Sequence, residues 1–210
     1  MKFELFEKID IEKQQVIIQS GILEFSRKSY AEARTDVITK DAGISKGLLF
    51  HYFGSKKNFY LYCIEQSLKR LVEKTPEVTA NDFYDVIFHT MDEKIKLCGK
   101  YPSEMHLVNM ASRETSSDVI DEKNELIQAY KIKTATESAL TMAKAVSLLP
   151  IKENENKKVV EALQLYTGTI ISKYLAIYNQ NPDDFFKNAD TVKSEIRQYI
   201  DLFLYGIMAN

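Results

Sequence analysis

The residues that most often carry catalysis or hold a metal are few and scattered in this sequence. The three histidines and two cysteines are His51, His89, His106, Cys63 and Cys98. The histidines lack the spacing of metal ligands, and His89 with Glu93 makes only an i,i+4 pair on a predicted helix. Two cysteines are too few for a disulfide framework, and they lack the paired spacing of a zinc site. We therefore expect no metal, no cofactor and no catalytic residue.

The two cysteines fit small apolar packing positions, with a redox switch as the alternative. The sequence also has no Gly-rich phosphate loop and no nucleophile elbow. A small helical enzyme is thus the least favoured class of function.

Binding to a polyanion is a second kind of chemistry, and the charge distribution favours it. The net charge is −2, but residues 1–76 carry 13 Lys and Arg against 10 Asp and Glu. Between residues 27 and 57 the basic side chains are Arg27, Lys28, Arg34, Lys40, Lys46, Lys56 and Lys57. Only three acidic residues, Glu32, Asp36 and Asp41, accompany them. Such a basic segment suits a nucleic acid.

The elements that must position these residues are all helices. With 7 Gly and 4 Pro in 210 residues, and apolar residues recurring at three and four, the chain is predicted to be all-α. About nine helices are expected, at residues 11–27, 36–42, 45–52, 56–74, 81–99, 102–112, 117–148, 155–180 and 189–208. Pro76 is taken as the boundary between a domain of residues 1–75 and a domain of residues 76–210.

Two short helices with a tight turn are predicted within the basic segment. Thr35 is expected to cap a helix that starts at Asp36, and Gly43 supplies the left-handed turn that ends it. Ile44 then packs into the core, and Ser45 caps the next helix. Helix, three-residue turn and helix make the helix-turn-helix pattern.

Residues 35–56, TDVITKDAGISKGLLFHYFGSK, resemble the signature of the tetracycline-repressor (TetR) family of bacterial regulators. With the flanking helices, the resemblance covers roughly residues 11–72. It implies an N-terminal three-helix helix-turn-helix DNA-binding domain, followed by a C-terminal helical domain for effector binding and dimerisation.

The second short helix is the expected recognition helix. Lys46 and His51 can reach base edges in the major groove, and Gly47 allows the backbone to approach closely. Phosphate contacts are expected from Thr35, Ser45, Tyr52 and Lys56, and more weakly from Lys57. Leu49 and Phe53 should instead face the core residues Ile18, Ile22, Val37 or Ile38.

Two positions depart from the family pattern. Leu48 stands where Thr is common, and Phe50 stands where Tyr is common, so two hydroxyl groups are missing. Leu48 could touch a thymine methyl group or pack against the following helix, and Phe50 is assigned to packing. These departures favour one alternative, a regulator of this fold that acts through a protein partner.

For the second domain, the resemblance supplies the expectation of an effector pocket and a dimer interface. The candidate pocket is largely apolar and consists of Phe88, Met91, Met105, His106, Met110, Tyr130 and Met142. The candidate dimer interface consists of Leu163, Tyr166, Ile170, Tyr199, Phe203 and Ile207. A monomer that packs these faces internally is the alternative.

The function predicted from these patterns is a homodimeric transcriptional repressor that binds a palindromic operator in double-stranded DNA. A small, largely apolar effector would release it, and activation is the alternative sign. With no leader that has the form of a signal peptide and no span of about 20 apolar residues, a cytoplasmic protein is expected.

Overall fold

The structure is a computed structural model that describes residues 3–72, 81–151, 156–177 and 182–206. These residues form helices and no strand, which confirms the all-α prediction. In chain order the helices are α1 (Glu4–Glu7), α2 (Ile11–Arg27), α3 (Thr35–Asp41), α4 (Lys46–Phe53), α5 (Lys56–Leu71), α6 (Phe83–Lys100), α7 (Pro102–Arg113), α8 (Ile120–Val146), α9 (Asn156–Ile177), α10 (Pro182–Lys187) and α11 (Ala189–Tyr205).

Each of the nine predicted helices is present, with ends that differ from the prediction by at most three residues where both ends are described. The short helices α1 and α10 were not predicted. Pro76, and the predicted helical residues 73–74, 155, 178–180 and 207–208, lie outside the described residues. No described helix has the length and apolar character needed to cross a membrane.

The chain divides into two compact units. Unit 1 consists of residues 1–74 and 100–133, and unit 2 consists of residues 75–99 and 134–210. The predicted division of function at residue 75 stays a prediction.

Unit 1 is built around a close approach of α2 and α5. A Cβ atom added to Gly21 in α2 would lie 2.5 Å from the ring of Phe59 and 2.7 Å from the Sγ of Cys63, both in α5. Real Cβ atoms essentially never come this close, so a side chain at this position would have to displace the Phe59 ring and the Cys63 side chain. Burial raises the pKa of the Cys63 thiol, which fits the expected packing role.

The N-terminal helix α1 also packs against this core. Phe6 is fully buried, with its ring centroid 4.7 Å from that of Phe53 and 5.6 Å from that of Tyr52. Phe3 lies 5.0 Å from Phe53 in the same way. Since Tyr52 and Phe53 end the predicted recognition helix, α1 supports that helix from behind.

Unit 2 has its own apolar core. Its buried residues are Phe83, Val86, Ile87, Met142, Ala145, Val146, Leu163, Ile170, Tyr174, Val192, Ile196 and Ile200. They come from α6, the second half of α8, α9 and α11, and α9 packs against α11. The Tyr84 hydroxyl in α6 donates a hydrogen bond to the carboxylate of Asp201 in α11, and the guanidinium of Arg197 lies over the Tyr84 ring.

Candidate nucleic-acid interface

The first helix of the predicted motif, α3, begins one residue earlier than expected. Its N-cap is Arg34, without a side-chain cap, and Thr35 is its first residue and is only 8% exposed. The prediction that Thr35 caps this helix was therefore wrong. The backbone N–H of Arg34 instead donates to the buried carboxylate of Glu24 at 2.9 Å, which fixes the chain where it enters α3.

The turn that follows α3 agrees with its predicted chemistry. Gly43 has a φ of 65°, a left-handed conformation that glycine adopts without strain. Ile44 packs against the core of unit 1, and its N–H donates to the carbonyl of Thr39 at 2.9 Å. Ser45 caps α4, since its Oγ accepts from the N–H of Leu48 at 3.1 Å. The turn and the Ser45 cap are thus confirmed.

Helix α4 has one buried and one open face. Leu49 and Phe53 are buried in the same core as Ile18, Ile22 and Ile38, as predicted. The residues left exposed at its start and on its far side are Ser45, Lys46, Gly47 and His51, whereas Leu48 and Phe50 are half-buried. An anchored helix with small and polar residues facing outward is what major-groove reading requires.

Gly47 is open toward the outside. A Cβ atom at this position would meet nothing nearer than the Ser45 Oγ at 3.9 Å, so packing within the chain does not require a glycine. The space is available to a molecule that approaches the first turn of α4.

Lys46 has a partner that the sequence did not reveal. Its Nζ lies 3.0 Å from Oδ1 of Asp36 in the first turn of α3, and both side chains are about half exposed. The two helices of the motif are thus joined by an ion pair on their outer surface.

The expected phosphate-binding lysines at the start of α5 also have partners. Lys56 donates from Nζ to the carbonyl of Ala31 at 3.3 Å and lies 4.8 Å above the Tyr30 ring. Burial lowers the pKa of Lys56, although nearby carboxylates oppose the effect. Lys57 pairs with Glu122 of α8 at 2.5 Å, and this hydrogen bond raises the pKa of Lys57. Tyr52 is half-buried beside Phe6.

The segment between α7 and α8 holds the loop that precedes α3. The carboxylate of Glu114 accepts from the backbone N–H of Tyr30 at 2.7 Å. Lys123, only 2% exposed, donates from Nζ to the Glu114 carbonyl at 2.8 Å. Glu114 therefore connects Lys123 with the loop that carries Tyr30.

The predicted effector residues fall into two sets. Phe88, Met91 and Met142 belong to the core of unit 2 or pack against it. The remaining four lie in unit 1 and are half-buried: Met105, His106, Met110 and Tyr130. Their joint role stays a prediction.

The predicted dimer residues differ in exposure. Leu163 and Ile170 are buried in the core of unit 2, Tyr166 and Tyr199 are half-buried, and Phe203 is exposed. Ile207 lies outside the described residues. The exposed apolar side chains on α9 and α11 are Leu165, Ile171, Ile177, Leu202, Phe203 and Tyr205. All but Phe203 were missed, because helical spacing identifies a stripe but not which neighbour covers it.

Sequence reasoning also missed the residues that position the motif. Asp36 was predicted only as the first residue of a helix, and Phe6, Glu24 and Glu114 were not singled out. The spacing of Phe3 and Phe6 is the one signal that could have indicated α1. The contact between Glu114 and Tyr30 joins residues 84 positions apart and has no local signature.

Residues 17–63 match the sequence model of the bacterial regulatory proteins of the tetR family. No curated protein matches the chain significantly in sequence. Among solved structures, a TetR family transcriptional regulator from Chloroflexus aurantiacus J-10-fl is similar, with 18% identity and a TM-score of 0.58 over 99% of this chain and 98% of that one.

Two further structures show the same fold. A TetR-like transcriptional regulator from Rhodococcus sp. RHA1 has 14% identity and a TM-score of 0.57, covering 95% of this chain and 99% of that one. A putative tetR family transcription regulator from Shewanella sp. PV-4 has 15% identity and a TM-score of 0.54, covering 89% and 95%.

The described residues therefore form an all-α fold with a helix-turn-helix inside the region that the tetR family model matches. More particularly, residues 17–63 match the tetR family model, the fold is similar to that of solved TetR family transcriptional regulators, and the resemblance predicted from the sequence is confirmed.

Proposed function

We propose that the protein is a transcriptional repressor that binds a palindromic operator as a homodimer and leaves it when a small, largely apolar molecule binds. The observation that carries the DNA-binding part is the arrangement of α4. Its buried residues Leu49 and Phe53 fix the helix, while Lys46, Gly47 and His51 stay exposed. The proposed place of action is the cytoplasm, where bacterial DNA lies.

In the proposed complex, α4 lies in the major groove. Lys46 donates to a guanine edge, His51 reads a neighbouring base, and the backbone at Gly47 approaches the DNA closely. Ser45, at the start of α4, and Tyr52, at its end, contact phosphates on either side. Leu48 contacts a thymine methyl group, with its other side held by the protein.

The contacts that Lys56 and Lys57 make within the chain change the roles proposed for them. Because the Lys56 ammonium already bonds to the Ala31 carbonyl, it supports the loop before α3 as well as adding positive charge. Lys57 must leave Glu122 before it can contact a phosphate. Thr35, being buried, contributes to DNA binding chiefly through the position of α3.

The proposed homodimer uses α9 and α11. Leu165 is 76% exposed and Tyr205 is 73% exposed, and such side chains favour a partner surface when several lie on neighbouring helices. A two-fold dimer presents two recognition helices to half-sites spaced by about 34 to 36 Å. This symmetry is the reason to expect a palindromic operator.

Effector release follows from a change in the spacing of the two recognition helices. An effector that binds one spacing better than the other shifts the dimer between them. The proposed effector contacts are the predicted pocket residues of unit 2, Phe88, Met91 and Met142, and repression relieved by the effector is the proposed sign.

The DNA-binding proposal is tested by titrating duplexes with the full chain and measuring fluorescence anisotropy at several salt concentrations. Operator candidates come from the DNA upstream of its gene and from selection out of random duplexes. We expect a specific complex that weakens as salt increases. Absence of any specific complex at low salt would contradict DNA binding and favour the reading in which a protein partner is bound.

Two substitutions, with one control outside the interface, separate the roles of the residues in α4. Tyr52→Phe should weaken binding to all duplexes about fivefold, because one phosphate hydrogen bond of about 1 kcal/mol is lost. Lys46→Ala should weaken binding about tenfold, but only to duplexes that carry particular base pairs. Lys96→Ala, which removes an exposed lysine from α6, is the charge-matched control. Equal losses from Tyr52→Phe and Lys46→Ala on every duplex would refute the base-reading role of Lys46.

The effector proposal needs a thermal-shift screen of small apolar compounds, followed by addition of each hit to the DNA complex. A compound that raises the unfolding temperature and dissociates the complex supports a repressor. A compound that strengthens the complex would reverse the proposed sign.

A further inference from the structure

An acidic side chain lies on the surface that is proposed to meet DNA. Asp36 stands in the first turn of α3, and its Oδ1 is 3.0 Å from the Nζ of Lys46, the first residue of α4. The side chains are 58% and 50% exposed, so neither is held by burial. This pair joins the two helices where a nucleic acid would approach.

The pair changes what Lys46 offers to DNA. With Asp36 beside it, the local charge is close to zero, and an approaching phosphate meets a carboxylate as well as an ammonium group. Ion pairs between exposed side chains are weak, so a better acceptor can take the lysine. A guanine edge, with its O6 and N7 acceptors, is such an acceptor.

Once Lys46 turns to a base, the Asp36 carboxylate needs a new donor. Among the groups of the major groove, the cytosine N4 amino group is the usual partner of an acidic side chain. DNA that presents no amino group there leaves the carboxylate unpaired among phosphates, which is unfavourable.

We propose that Asp36 is a specificity-determining residue. It holds Lys46 in the unbound protein and weakens binding to non-specific DNA. The operator relieves this penalty with a guanine for Lys46 and a cytosine amino group for Asp36. The inference rests on the proposed function and adds to it a residue that selects by repulsion as well as by attraction.

The test compares Asp36→Asn with Asp41→Asn in the full chain. Asn keeps the size of Asp36 and removes its charge. Asp41, an exposed residue at the other end of α3, gives the same change in net charge. Dissociation constants are measured for the selected operator and for a scrambled duplex of equal length, over a range of salt.

We expect Asp36→Asn to tighten binding to the scrambled duplex about tenfold and to leave operator binding unchanged or weaker, so that the specificity ratio falls by about tenfold or more. For the scrambled duplex, the plot of log binding constant against log salt concentration should become steeper, by about the amount that one further phosphate contact adds. Asp41→Asn should tighten both complexes by the same small factor. When Lys46 is already replaced by Ala, Asp36→Asn should change the specificity ratio much less.

Any one of the following results would overturn the inference. Equal tightening of both complexes by Asp36→Asn would show a general charge effect, and weakening of both with a lower unfolding midpoint would show a helix-end role. An unchanged specificity ratio would refute the specificity role of Asp36 but not DNA binding, provided that the unaltered protein still prefers the operator. If the unaltered protein shows no preference, the proposed function fails and this inference fails with it.

Discussion

Unit 1 and unit 2 differ in the kinds of side chain that they bury. Among the described residues, the buried serine, threonine and charged side chains all lie in unit 1; these are Ser20, Glu24, Thr35, Thr39, Ser67, Glu104 and Lys123. The core of unit 2 is largely apolar, and most of the exposed large apolar side chains, among them Leu165 and Tyr205, belong to unit 2.

The difference indicates what each unit must keep fixed. A buried carboxylate is stable only when a donor stands at a defined place, so Glu24 and Glu104 hold their neighbouring elements in one register. Apolar contacts are less directional. Unit 1 therefore fixes the orientation of α4, whereas unit 2 leaves apolar side chains of α9 and α11 exposed, where the proposed dimer would cover them.

The largest predicted effect is overpacking at Gly21. Gly21→Ala should lower the free energy of unfolding by about 3 kcal/mol, because the added Cβ overlaps the ring of Phe59 and the Sγ of Cys63. Chemical denaturation followed by circular dichroism measures it. The matched control is Gly168→Ala in the middle of α9, where nothing lies within 4 Å; it should stabilise by up to about 1 kcal/mol. Similar losses at both sites would remove the contrast between the units.

A smaller effect is expected from the ion pair of Arg70 with Glu104. The Glu104 carboxylate is 3% exposed, and Arg70, which also donates to Gln19, is its cationic partner. Arg70→Met leaves this carboxylate buried without a cation. Because Arg70 is partly exposed, we expect a loss of about 2 kcal/mol, below the value for a fully buried pair.

The double variant Arg70→Met/Glu104→Met supplies the control for this pair. It should recover most of the lost stability, since no buried charge remains. If the double variant is less stable than Arg70→Met, Glu104 stabilises unit 1 by contacts other than the ion pair.

The sequence allowed the helices and the motif to be predicted because their signals are local. The capping residue Ser45, Gly43 in the turn and the apolar spacing of Leu49 with Phe53 each act within a few residues. Thr35 was misassigned because its capping ability competes with burial, and burial depends on packing that the local sequence does not encode.

The partners of the charged residues could not be predicted for the same reason. Asp36 with Lys46, Lys57 with Glu122 and Tyr30 with Glu114 are separated by 10, 65 and 84 residues, and only the tertiary fold brings them together. The outward face of α9 was missed because a helix with apolar residues on several sides does not indicate which side its own chain covers.

A moderate, pH-dependent effect is predicted at Glu114. Desolvation raises the pKa of its carboxyl group, but the backbone N–H groups of Tyr30, Ser116 and Thr115 outweigh it, and the pKa lies below its ordinary 4.5. The stabilisation is therefore fully present above pH 4.5 and is lost as the pH falls through the lowered folded-state pKa.

Glu114→Gln should lower the free energy of unfolding by about 1 kcal/mol at neutral pH, because charged acceptors make the stronger hydrogen bonds. The difference from the unaltered protein should disappear in acid. Denaturation across a pH series measures it, with Glu125→Gln, an exposed change in α8, as the control. A difference that persists in acid would assign the effect to packing instead of charge.

The smallest predicted effect on the isolated chain is at Leu165, and it tests the other half of the comparison. Because the Leu165 side chain is exposed, Leu165→Ser should change the free energy of unfolding of a dilute sample by no more than about 0.5 kcal/mol. In the proposed dimer the same residue is covered, so the unaltered protein should gain stability with concentration and the variant should gain less. Thermal unfolding over a hundredfold range of concentration, together with analytical ultracentrifugation, separates the two states. A large loss of stability at every concentration would show that unit 2 covers this residue itself, and the contrast with unit 1 would then reduce to the buried charges.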